Sequence, residues 1–168
     1  WLAELLVLVA FAFVLQFVVK TYVVQPFLIP STSMEGTLLI GDRVLVDKLA
    51  FRFEARPRRG DVVVFDSTEE SGTQVIKRVI AVAGQTVDIQ DGRVIVDGKR
   101  LTEPYVNTEF PDHYDSDVTV KVPVGTVWVM GDNRANSRDS RFIGSVSIRS
   151  IEGRAFAIYW PLDRLRGL

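Results

Sequence analysis

Leu2 to Val19 is almost wholly apolar, broken only by Glu4 and Gln16. As a helix, this run reaches about 27 Å at a rise of ~1.5 Å per residue, close to the hydrocarbon thickness of a bilayer. It has no polar face, so a helix half-buried on a soluble core fits it poorly. A signal peptide's apolar segment is typically shorter, and no clean cleavage site follows. Trp1 stands at one end, and Lys20 and Tyr22 at the other. These residue types favour the membrane interface. The expectation is a transmembrane anchor over residues 1–21, followed by one modest domain over residues 22–168. The chain starts at Trp1 rather than Met, so the natural N-terminus is expected further upstream.

Beyond the anchor the pattern changes to short strands and turns. Arg43–Asp47, Asp61–Phe65, Gln74–Val82, Val118–Val122 and Thr126–Met130 are rich in β-branched and apolar residues. Val87–Gln90 and Arg93–Val96 flank Asp91-Gly92, the pair that favours a two-residue hairpin turn. Asp97-Gly98 reads as another turn, Ser147–Gly153 as a helical turn, and Arg154–Trp160 as a last strand stopped by Pro161. No long amphipathic helix follows the anchor. The expected fold is therefore all-β, a mainly antiparallel β domain on one N-terminal transmembrane α-helix. Thr102–Asp117 holds five acidic residues and no Lys or Arg, and reads as a solvated loop or small insertion. Arg52, Arg56, Arg58 and Arg59 form a small basic cluster that could touch anionic headgroups, although a solvated loop also accounts for it.

Composition removes several chemistries. There are no cysteines and one histidine, His113. A thiol nucleophile, a disulfide framework, a thiolate metal site and paired-histidine zinc chemistry are excluded. The net charge of -1 gives no concentrated positive field for nucleic acid. A Ser-His-Asp triad would need His113, whose acidic, aperiodic surroundings suggest an exposed side chain.

Two stretches could carry chemistry. In Ile29-Pro30-Ser31-Thr32-Ser33-Met34-Glu35-Gly36-Thr37 three hydroxyl residues are consecutive, and Ser33 is the candidate nucleophile. A turn or helix cap accounts for the same residues. A serine needs a base. Lys77, flanked by Val75, Ile76, Val79 and Ile80, is the best remaining one. Burial disfavours an ammonium, so a buried Lys77 could accept the Ser33 proton near neutral pH. An outward-facing lysine on an amphipathic strand is the alternative. Alternation sends Lys77 and Arg78 to opposite faces, so at least one needs a polar partner.

Ile29-Pro30-Ser31-Thr32-Ser33-Met34, Ile76-Lys77-Arg78-Val79 and Gly131-Asp132-Asn133-Arg134 through Ser137-Arg138-Asp139-Ser140-Arg141 occur in this order. They resemble the nucleophile, general-base and C-terminal boxes of bacterial type I signal peptidases. Lys20–Phe27 also resembles that family's approach to the site, so the resemblance spans nearly the whole chain. It implies a membrane-bound serine endopeptidase with a Ser-Lys dyad that removes signal peptides from exported preproteins. Cleavage would follow a small-x-small site of the A-x-A type. By position, Ser33 would be the nucleophile and Lys77 the base, with the Ser31 hydroxyl and the Ser33 N–H forming the oxyanion hole. Ser137 would orient Lys77, Asp132 would pair with Arg78, and Asp139 with Arg141. Phe27, Ile29, Met34, Leu38, Val44 and Ile76 would shape shallow pockets for an extended substrate that adds a strand to the domain. The implied location is the outer surface of the cytoplasmic membrane, single-pass, with preproteins and the lipid bilayer as partners. No metal, organic cofactor or nucleic acid is implied. A pilin- or conjugation-type processing peptidase is a specialised relative. A self-cleaving Ser-Lys repressor would need a DNA-binding module. A decayed membrane-tethered module would be expected to have lost one of Ser31, Ser33, Lys77 and Ser137. The family usually has proline where this chain has Gly36, and Pro-Gly-Asp where it has Ala83-Gly84-Gln85.

Overall fold

The computed structural model describes residues 1–52, 56–106 and 118–168. Helix α1, Leu2–Tyr22, precedes a domain of mainly antiparallel strands. Apolar side chains along it, Phe11, Phe13 and Phe17 among them, stand exposed, and it touches the domain chiefly at strand β1, Val24–Leu28. Among the described residues no helix is long and apolar enough to cross a membrane.

Strands follow in chain order: β2 Arg43–Asp47, β3 Val62–Asp66, β4 Gln74–Val82, β5 Thr86–Gln90, β6 Arg93–Val96, β7 Lys99–Arg100, β8 Val118–Lys121 and β9 Thr126–Met130. After the short helix α2, Ser140–Ile143, come β10 Val146–Ser147, β11 Ile151–Trp160 and β12 Arg166–Gly167. The larger sheet has the order β1-β2-β11-β3-β4-β9-β10, with β12 beside β11. The smaller has the order β7-β6-β5-β8. Pro26 cannot donate to a ladder, and it sits on edge strand β1, where none is needed on the outer side.

Strand β4 lies between β3 and β9 and is buried from Ile76 to Ala81. Burial on both faces fits its apolar residues on either side of the central Lys77-Arg78 pair. A register shift between Val79 and Ala81 interrupts its pairing with β9. Ile80 and Ala81 both join the core of the smaller sheet with Val87, Trp128 and Met130, as a bulge allows. The chain then turns through Ala83-Gly84-Gln85 into β5. Gln85 accepts the Val82 N–H at 3.1 Å and donates to Asp97 at 2.8 Å, stabilising this turn without a proline.

The hairpin of β5 and β6 closes at Asp91-Gly92 with φ of 47° and 69°, the left-handed pair its sequence signals. The last long strand begins at Ile151 rather than Arg154, because the helical turn is only Ile148–Ser150. Gly153 permits this: a Cβ there would overlap the Asp47 carbonyl on β2. The strand ends at Trp160, before Pro161, as expected, and the tail beyond packs back on the domain. Arg164 from the tail grips Asp42 at 2.9 Å through two nitrogens, and Arg166 donates to the Thr37 carbonyl at 2.6 Å.

Gly36 has a φ of 105°, in the region that favours glycine, and closes the turn after the 3-10 helix Thr32–Met34. Proline fixes φ near −65°. Installing the residue usual in the family, Gly36→Pro, is therefore expected to cost about 1–3 kcal/mol of stability. Thermal unfolding of the full chain in detergent measures it; an unchanged or raised Tm would contradict this backbone.

Candidate active site

Ser33 lies in the 3-10 helix Thr32–Met34, which follows the extended Pro30-Ser31 and packs Met34 into the core. Lys77 comes from the middle of β4, opposite Val63. The two meet across the fold, with Lys77 Nζ 2.8 Å from Ser33 Oγ. Nζ also donates to the Ile76 carbonyl at 3.1 Å. Both side chains are buried, Ser33 at 8% exposure and Lys77 at 4%. Burial pulls the Lys77 pKa down to about 8, against the opposing pull of the Asp139 and Asp132 carboxylates. Ser31 is exposed, with its Oγ 3.3 Å from Ser33 Oγ.

Arg78, next in β4, points away from Lys77 and is also buried. Its guanidinium grips Asp132 at 2.7 and 2.9 Å, donates to the Gly60 carbonyl at 3.0 Å, and lies 4.1 Å from the Tyr105 ring centroid. Thr37 completes this cluster, donating to Asp132 at 2.5 Å and accepting from Arg78 at 3.1 Å. Asp139 pairs with Arg141 at 2.9 Å and accepts the Gly131 N–H at 2.9 Å.

The polar run 131–141 has the composition of a surface loop, but it is largely buried: Asp132, Asn133, Arg134, Ser137, Asp139 and Ser140 are all inside. Its backbone docks on the Ser33 turn through the Asn133 N–H, which donates to the Ser33 carbonyl at 3.1 Å. Asn136 reaches Thr32 at 2.7 Å and Asn133 reaches Glu35 at 3.2 Å. A Cβ on Gly131 would overlap both the Ser33 carbonyl and Ser137 Oγ, so only glycine permits this approach.

Three expectations change here. The Ser137 hydroxyl is buried beside Gly131 but has no hydrogen-bond partner among the described residues, so it does not orient Lys77 by direct contact. Ile29, Met34, Leu38, Val44 and Ile76 are each at most 3% exposed and form one core cluster, with half-buried Phe27 packed against it. They are a closed floor rather than an open pocket. Glu103 is not solvated: it pairs with Arg134 at 2.5 Å, and Arg134 in turn holds the Gly131 carbonyl at 3.0 Å. Sequence reasoning missed Thr37, Glu103 and Arg134 because their partners are remote in the chain. His113 lies outside the described residues, as does Thr102–Asp117 beyond Val106. Among the described residues no group of three or more His, Asp or Glu could hold a metal ion.

An amine with a lowered pKa against a serine hydroxyl can support acyl transfer without histidine. The sequence comparisons agree with that class. The profile of the family described as signal peptidase, peptidase S26, matches residues 2–160. A signal peptidase I from Leptolyngbya laminosa is 42% identical over 154 residues, covering 88% of this chain and 74% of that protein. Signal peptidase I P from Bacillus subtilis subsp. natto is 34% identical, covering 99% and 91%. A crystal structure of a signal peptidase I from Enterococcus faecalis V583 superposes with a TM-score of 0.51 at 33% identity, covering 59% of this chain and 96% of that one. The chain belongs to the signal peptidase S26 family.

Removing the Asp132 carboxylate strands the Arg78 charge in a buried site. Breaking such a pair costs about 3–5 kcal/mol. Urea unfolding of Asp132→Ala is expected to show a loss of that size; a loss below about 1 kcal/mol would mean that Gly60 and Thr37 suffice for Arg78.

Proposed function

We propose that this chain is a membrane-bound serine endopeptidase that removes signal peptides from exported preproteins, cutting after a small-x-small site. The observation that carries the mechanism is the 2.8 Å contact between Lys77 Nζ and Ser33 Oγ. Neutral Lys77 takes the Ser33 proton as Oγ attacks the scissile carbonyl. The Ser31 hydroxyl and the Ser33 N–H stabilise the developing oxyanion. The Lys77 ammonium then protonates the leaving amine, which departs as the mature protein's N-terminus. The acyl-enzyme remains on Ser33. Water, deprotonated by Lys77, releases the signal peptide and restores the serine.

The lowered pKa makes this feasible. An ordinary lysine is neutral in only about one molecule in a few thousand at pH 7. With a pKa of about 8, roughly one in ten is neutral. Residues 1–21 would anchor the chain in the cytoplasmic membrane, a reading supported by the exposed apolar side chains of α1. The domain over residues 22–168 would then lie on the outer side, with the substrate extended over the floor formed by Met34, Leu38 and Ile76.

The test is cleavage of a membrane-presented preprotein, with the new N-terminus sequenced. Ser33→Ala and Lys77→Ala are each expected to lower kcat by about 10⁴-fold or more. Near-normal cutting by Lys77→Ala would overturn the base assignment. A second readout is pH: kcat/KM should fall about tenfold per unit below an apparent pKa near 8, because protonation removes the base. A flat profile from pH 6 to 9 would remove Lys77 from that role.

A further inference from the structure

Two adjoining cavities rest on a different core cluster from the one beneath Met34. The first, about 670 Å³, is lined by Phe51, Pro57, Val82 and Ile148 together with Arg56 and Arg149. The second, about 490 Å³, shares Phe51, Ile148 and Arg149 and adds Tyr22, Lys48 and Arg52. The floor they share is apolar, with Phe51 and Ile148 packed against the core of Val63, Val79 and Val127, and Val82 extends it in the first cavity. Their rim is cationic. Arg52, Arg56 and Arg149 are exposed and Lys48 half-buried, while Glu152 is the one carboxylate in either lining among the described residues. None of these four cations forms a salt bridge among the described residues.

These charges take no part in the Ser33–Lys77 contact or in the Arg78–Asp132 and Arg141–Asp139 pairs. Their position does suggest an occupant. Tyr22 is the last residue of α1 and lines the second cavity, so the groove opens at the end of the apolar helix. We propose that this groove binds an anionic phospholipid from the bilayer that holds α1. Its phosphate would lie against Arg52, Arg56 and Arg149, and its glycerol and first methylenes against Phe51, Pro57 and Ile148. A free phosphate would leave that apolar wall unused. This assignment rests on the membrane reading of α1 given above. The contact would fix the height and rotation of the domain on the membrane surface.

The experiment uses the full chain in neutral detergent, titrated with phosphatidylglycerol or phosphatidylcholine and followed by native mass spectrometry. Phosphatidylglycerol is expected to bind more tightly, and added salt to weaken it. A basic residue near an anionic lipid surface contributes about fivefold in affinity, so Arg56→Gln with Arg149→Gln should weaken binding roughly 25-fold. Hydrolysis of a soluble peptide by the double variant should be unchanged. Equal binding of the two lipids, full binding by the double variant, or displacement by the same concentration of glycerol phosphate would each overturn the site. Flotation of the wild type with pure phosphatidylcholine vesicles reads α1 separately. Failure to float overturns membrane anchorage and with it the bilayer as the lipid's source. Flotation without phosphatidylglycerol preference overturns the groove alone.

Discussion

Two consecutive cations, Lys77 and Arg78, lie inside the same strand, and the surroundings treat them in opposite ways. Arg78 receives a carboxylate in two-point contact, a carbonyl, a hydroxyl and an aromatic face. Lys77 receives one hydroxyl and one carbonyl. Burying a charge is costly unless it is paired, so the unpaired amine yields by favouring its neutral form. The two nearby carboxylates oppose this only in part. Asp132 already faces Arg78, and Asp139 faces Arg141, so each acid's field is largely met by its own guanidinium. Among the described residues the site thus provides a buried lysine without an ion-pair partner, the condition under which a lysine becomes a base near neutral pH.

The polar run 131–141 follows from that arrangement. It must supply acids to the interior and still satisfy its own backbone. Asp139 does both, its carboxylate accepting the Gly131 N–H and the Arg141 N–H in the first turn of α2 while holding the Arg141 guanidinium. Arg141 passes the contact on to the Arg134 carbonyl at 2.7 Å, and Arg134 to Glu103. A single connected network therefore links the Ser33 turn, the base strand and the chain leaving the smaller sheet. Networks of this kind are stabilising only when nearly every member is satisfied. Among the described residues the buried Ser137 hydroxyl, beside Gly131, is the exception.

Much of this was legible in the sequence. Strands β2, β4 and β9 carry dense β-branched residues bounded by turns, and their limits match the expectation residue for residue. The primed turn at Asp91-Gly92 was written in two letters. The Arg78–Asp132 and Asp139–Arg141 pairs form as the family resemblance implied. What could not be read was burial of polar chain. Composition reports hydrophilicity, and 131–141 is hydrophilic, but its partners lie about a hundred positions away in the Ser33 turn. The same limit hid Glu103, which looks like one more acid in an acidic loop, and the Arg164 clamp, whose Asp42 partner is 122 residues distant. The apolar residues around Met34 were legible as a group. Their closure into a core was not, because periodicity cannot distinguish a pocket floor from a filled interior.

Ser137 shows how the site's proton inventory constrains the proposed mechanism. A neutral amine has two N–H donors and one lone pair. As a base, Lys77 must aim that lone pair at the Ser33 hydroxyl, which then donates across the 2.8 Å contact. One N–H goes to the Ile76 carbonyl. The second has no further partner among the described residues, and neither does the buried Ser137 hydroxyl. Each orphan costs about 1–3 kcal/mol on burial. Protonation of Lys77 during the reaction adds a third donor and sharpens the need for an acceptor. Ser137 is packed against Gly131, whose missing side chain lets the loop close on Ser33. The hydroxyl is thus held in a wall that also fixes the nucleophile.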